Sequence, residues 1–253
     1  MRDIAGTSVL VTGGGSGLGA AIARHFVAGG ARVTISGRRP EKLAAIMAEL
    51  GAGGRAVTGD VSVAADREAM VAAAVEHGGR LDTVVNAAGN MYRGAIDQLD
   101  EQALLDVFHG NVIGPMMLTG LALPALRESN GSVIVFGSVH TQRAFPGAAP
   151  YAATKGALET LCGVLAAELG PAGVRVNGIR PGAVPTELNQ RAGLATDEES
   201  LARLNSLAPA HALGRIGSGL DIAEAAEYLA VADWVTGTVL TVDGGLSLGV
   251  THA

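Results

Sequence analysis

Short apolar runs and longer amphipathic stretches take turns along the chain. Ser8 to Thr12, Arg32 to Ser36, Ala56 to Asp60, Thr83 to Asn86, Ser132 to Phe136, Arg175 to Ile179 and Val239 to Val242 read as brief strands between turn-forming residues. Between them, Ala20 to Ala28, Glu41 to Leu50, Asp66 to Glu76, Glu101 to Arg127, Pro150 to Gly170 and Ile222 to Ala230 read as helices. Strands joined by helices pair in parallel through right-handed crossovers, and such a sheet is covered on both faces. The expected fold is α/β, a Rossmann-like doubly wound parallel sheet of about seven strands in a single domain over 1–253. The polar stretch at about 185–210 breaks the alternation and is expected to be a substrate lid.

Composition narrows the partners. Hydrophobic residues make up 48% and aromatics only 3%, so the core must be built from Ala, Val, Leu and Ile. A net charge of -6, with 18 Lys and Arg in all, provides no basic stripe for nucleic acid. Cys162 is the single cysteine and has no partner for an intramolecular disulfide, which fits a reducing, cytoplasmic setting. No signal peptide is visible before the first strand. The most apolar stretch, Met116 to Leu126, is interrupted by Thr119, Gly120 and Pro124 and is shorter than the roughly 20 residues a bilayer requires.

The candidate chemistry begins after the first strand, at Thr12-Gly13-Gly14-Gly15-Ser16-Gly17-Leu18-Gly19. Glycines there let backbone N–H groups approach a pyrophosphate, whose charge also favours the N-terminus of the following helix. No Gly-Lys-Ser/Thr follows, which disfavours a P-loop. At the end of the second strand, Ser36-Gly37-Arg38-Arg39 has arginines where an acidic residue would bind a free ribose 2'-hydroxyl. An arginine fork can clasp a 2'-phosphate, so NADP(H) is preferred and NAD(H) remains possible. Asp60 and Val61 are expected near the adenine.

Tyr151 and Lys155 are four positions apart on one helix face, where a nearby positive charge would pull the phenol down from its usual pKa of about 10. Ser138 follows the fifth strand at its carboxyl end, where ligands of doubly wound sheets bind. Taken together, these motifs resemble the short-chain dehydrogenase/reductase family from about Ser8 to Gly245. The match covers Thr12, Gly13, Gly17 and Gly19; Asn86, Ala88 and Gly89; Asn111, Ser138, Tyr151 and Lys155; Pro181 and Gly182; and Thr186.

The resemblance implies that Tyr151 moves the proton, Ser138 orients the substrate oxygen, Lys155 binds the nicotinamide ribose, and Asn111 holds a water. It implies no metal, and a homo-oligomer, dimer or tetramer. Ala87 and Arg180 depart from the family pattern, and the segment from Leu229 to Thr236 looks short. Gly15, Ser16, Leu18 and Ala87 complete the expected cofactor contacts. Met91, Tyr92, His140, Gln142, Arg143, Phe145, Leu188 and Leu194 are candidate substrate walls, His140 and Phe145 foremost, while Arg143 and Arg191 are candidates for an anionic substrate. Three functions fit: an NADP(H)-linked ketone reductase or alcohol dehydrogenase, the same chemistry with NAD(H), or a non-catalytic dinucleotide-binding protein.

Overall fold

A computed structural model describes residues 3–188, 193 and 196–249. Seven strands form one parallel sheet: β1 (Ser8–Thr12), β2 (Arg32–Gly37), β3 (Gly54–Thr58), β4 (Thr83–Asn86), β5 (Ser132–Phe136), β6 (Arg175–Pro181) and β7 (Val239–Val242), in the order β3-β2-β1-β4-β5-β6-β7. Successive side chains alternate between faces. Val9 and Val11 therefore pack with Ile22, Phe26, Ile222 and Leu229, while Leu10 packs on the opposite face with Met70, Leu118, Leu158 and Cys162. The first face is covered by α1 (Gly17–Ala28), α2 (Pro40–Leu50) and α8 (Gly219–Val231). The second is covered by α3 (Ala64–Gly78), α5 (Gly114–Ser129) and α6 (Ala149–Leu169). Burial on both sides explains why these strands read as unbroken apolar runs.

Several expected boundaries move. β3 lies two residues earlier than expected, because the Asp60 N–H donates to the Asp66 carboxylate at 2.7 Å and so leaves the sheet. The helical stretch expected from Glu101 to Arg127 is α4 (Glu101–Phe108), a π turn (His109–Ile113) and α5. Part of the expected lid is the helix α7 (Asp197–Asn205), and residues 189–192, 194 and 195 lie outside the described set. Between β1 and β4 the chain reverses its direction of travel across the sheet. That switch opens a crevice at the strands' carboxyl ends.

Candidate active site

A single cleft joins the glycine turn to Ser138, Tyr151 and Lys155. Gly13 has φ +68°, and a Cβ there would lie 2.9 Å from the Ala88 backbone; a Cβ on Gly19 would meet the Gly13 carbonyl oxygen at 2.5 Å. Only glycine lets the turn pack this closely against the end of β4. Thr12 Oγ1 accepts from the Ala88 N–H at 3.0 Å and secures the same approach. Ser16 caps α1 without a side-chain bond to its first turn, so the helix N-terminus faces the cleft where Gly15, Ser16, Gly17, Leu18 and Gly19 line it. This cradle fits a pyrophosphate.

At the far end of β2, Arg38 lies 3.5 Å from Asp60 and donates to Asn90 Oδ1 at 3.2 Å. Arg39 donates to Glu187 at 2.6 Å and to Ser16 Oγ at 3.1 Å, and Lys42 reaches the other Glu187 oxygen at 2.9 Å. Burial alone would raise the Glu187 carboxyl, but the bonds from Lys42 and Arg39 hold it at about 2. Asp60, Val61, Ala87, Ala88, Gly89, Pro181, Gly182 and Thr186 all line the cleft. Thr12 and Asn86 are buried beneath it, Asn86 donating to Thr119 at 3.4 Å.

The catalytic candidates converge. Ser138, just past β5, and Tyr151, on the first turn of α6, both line the cleft, close enough that Ser138 pulls the phenol's pKa down. Arginine can only donate, so the 3.3 Å contact from Arg93 makes His140 Nε2 an acceptor and places the ring proton on Nδ1. Nδ1–H then donates to Ser138 Oγ at 3.0 Å, and the His140 backbone N–H donates to the same oxygen at 3.3 Å. With its oxygen engaged twice, Ser138 directs its own hydrogen toward Tyr151 and the open cleft.

Lys155 Nζ donates to the Phe136 carbonyl at 2.9 Å and stands 5.4 Å from the Tyr151 ring centre. The expected lowering of the phenol does not occur: burial pushes Tyr151 up to about 12 and outweighs Ser138 and Arg93, which pull it down. Burial likewise lowers Lys155 to about 8. Asn111, in the π turn, donates to Asn90 O at 2.9 Å and Thr154 Oγ1 at 3.1 Å and accepts from Asn90 N at 2.7 Å, so its amide ties the β4 loop to α6.

Residues 13–247 match the family described as Enoyl-(Acyl carrier protein) reductase. A short-chain dehydrogenase/reductase of Serratia marcescens superposes with a TM-score of 0.86 at 31% identity, covering 97% of this chain and all of that one. The chain belongs to the short-chain dehydrogenase/reductase family. Bovine L-fucose dehydrogenase is 38% identical over 97% of this chain and 91% of its own. A 3-ketoacyl-(acyl-carrier-protein) reductase from Brucella melitensis, solved with NADH, superposes with a TM-score of 0.87 at 31% identity, covering 96% and 99% of the two chains. The protein is thus an oxidoreductase of this family acting on CH–OH groups.

In this short-chain dehydrogenase/reductase, Met91, His140, Phe145 and Leu188 line the same cleft as Tyr151. His140 stacks on Phe145 with ring centres 4.3 Å apart and meets Tyr151 edge-on at 5.3 Å. Tyr92, Gln142 and Arg143 do not line it: the Tyr92 hydroxyl accepts from the Asp100 N–H at 2.7 Å, and Arg143 donates to Leu246 O at 3.0 Å. Leu194 and Arg191 lie outside the described residues. Arg93 and Arg203, which no motif marks, are in the wall instead.

The unusual Arg180 also has a place. It donates to both oxygens of Glu159, at 3.0 and 2.7 Å, and to Thr141 and Thr241 at 3.1 and 2.8 Å. Glu159 in turn accepts from the Ser138 N–H at 3.3 Å, so the pair supports the loop carrying Ser138.

Proposed function

We propose that the protein moves a hydride between NADP(H) and a ketone or secondary alcohol, with Tyr151 as the proton donor or acceptor. The observation that carries this reading is that Ser138, Tyr151 and Lys155 line the same cleft as the glycine cradle. When bound, the dinucleotide supplies or accepts the hydride. A substrate oxygen between the two hydroxyls receives the Ser138 hydrogen, and the protonated phenol at about 12 transfers its proton as charge develops there. The Lys155 ammonium favours the phenolate left behind. Asn111 holds the β4 loop and α6 in register beneath the reacting groups.

The preference for NADP(H) rests on charge at the end of β2. Three cations, Arg38, Arg39 and Lys42, face two carboxylates, Asp60 and Glu187, which leaves one positive charge for a 2'-phosphate. The reading with NAD(H) draws on Glu187, which already engages Arg39 and Lys42. Separate fluorescence titrations with NADPH and NADH decide between them. NADPH is expected to bind more tightly, and Arg38→Asp to weaken it at least tenfold while sparing NADH. Tighter NADH binding by the unaltered protein would remove the arginine argument, and binding of neither would favour a non-catalytic role.

The protein is also read as a homo-oligomer. Leu158 and Leu169 of α6 are buried in the protein's own core, but Leu105, Ile113, Met116, Met117 and Leu121 leave an exposed apolar face along α4 and α5. Light scattering should give a multiple of the 25.3 kDa chain mass, and a monomer would contradict this.

A further inference from the structure

Resting on that reading of the site, we propose that the substrate is an oxo or hydroxy acid whose carboxylate is held by Arg93 and Arg203 a few bonds from the reacting carbon. Both side chains line the cleft, Arg93 in contact with His140 and Arg203 close enough to act on both of them. Arg93 makes a 3.3 Å contact to His140 Nε2, its Nε is buried without a hydrogen-bond partner, and neither arginine forms an ion pair among the described residues. The carboxylates that line the same cleft, Asp60 and Glu187, are engaged with Arg38, Arg39 and Lys42 at its other end.

Two guanidinium groups facing one partly buried space repel each other unless an anion lies between them. Their charges already lower Arg93 and His140, although burial is the larger cause at both. In a chain of net charge -6, such a cationic pocket is a local feature rather than part of a basic surface. A planar carboxylate matches the guanidinium fork with two parallel bonds.

Position sets the length of the acid. The guanidinium of Arg93 stands one imidazole ring and two hydrogen bonds from Ser138 Oγ, where the substrate oxygen is held. A carboxylate on Arg93 and a carbonyl on Ser138 therefore belong to one short molecule. Arg203 approaches from α7, the described helix of the lid region, so that helix supplies one wall of the anion site. In the reductive direction the hydride adds to the carbonyl carbon, the Tyr151 proton adds to its oxygen, and the carboxylate is unchanged.

The test is calorimetric titration of the dinucleotide-saturated protein with 2-, 3- and 4-oxo acids of four to six carbons, each beside its methyl ester. At least one acid is expected to bind tenfold or more tightly than its ester. That advantage should disappear in Arg93→Met and shrink in Arg203→Met, while dinucleotide affinity stays unchanged. Equal affinity for acid and ester, no binding by any acid, or an advantage that survives both substitutions overturns the proposal. Following dinucleotide absorbance in the same mixtures separates the two claims. Reduction of neutral ketones alone leaves the redox reading standing without the carboxylate site. Acid binding without turnover of any compound leaves the site without the redox reading.

Discussion

At His140 one imidazole touches the Ser138 hydroxyl, the Arg93 guanidinium and the ring of Phe145. Burial first, and then the charges of Arg93, Arg203 and Lys155, lower its pKa from 6.5 to about 4. Between these values the unfolded chain takes up a proton that the folded site refuses, so stability is highest above 6.5 and falls as the pH drops toward 4. The loss is bounded at about 3 kcal/mol by 1.36 kcal/mol per unit, and solvent at the partly open ring reduces it. Melting temperature should therefore fall more steeply between pH 6.5 and 4 in the unaltered protein than in His140→Asn, and parallel slopes would show that His140 is not the group responsible. Ser138, Tyr151 and Lys155 were legible in the sequence because a strand end and a helical spacing of four bring them together. Arg93 was not, because its contact with His140 crosses 47 positions and leaves no local pattern.

Elements explain what spacing leaves out. The π turn widens the helix where Asn111 must reach both Asn90 and Thr154, an insertion that hydrophobic periodicity does not register. The Glu159–Arg180 pair, with side chains only 12% and 14% exposed, joins α6 to β6 beneath the Ser138 loop. Removing one member strands the other charge in a poorly solvated place. Glu159→Ala is expected to cost about 3–5 kcal/mol in urea unfolding. A loss below about 1 kcal/mol would show that the pair is solvated well enough to matter little. Arg180 stood out from the sequence only as a departure from the family pattern; its partner on α6, 21 positions earlier, was visible only in the structure.

For the whole molecule, strand order places the chemistry. Because β4 returns beside β1 rather than beyond β3, the glycine turn, the end of β4 and the Ser138 loop share one rim of the sheet. The doubly wound parallel sheet of about seven strands followed from alternating strands and helices and the handedness of their crossovers, while the strand order came from the structure. The direction of the side chains on the lid side did not, since loops follow tertiary contacts rather than periodicity. The central claim is that this rim transfers a hydride and that Tyr151 supplies the accompanying proton. Its most direct test is dinucleotide oxidation at 340 nm across a panel of ketones and oxo acids, comparing the unaltered protein with Tyr151→Phe and measuring dinucleotide binding in both. The account predicts turnover that falls at least 100-fold in Tyr151→Phe with binding retained, the order expected for loss of a general acid; undiminished turnover in Tyr151→Phe would contradict it.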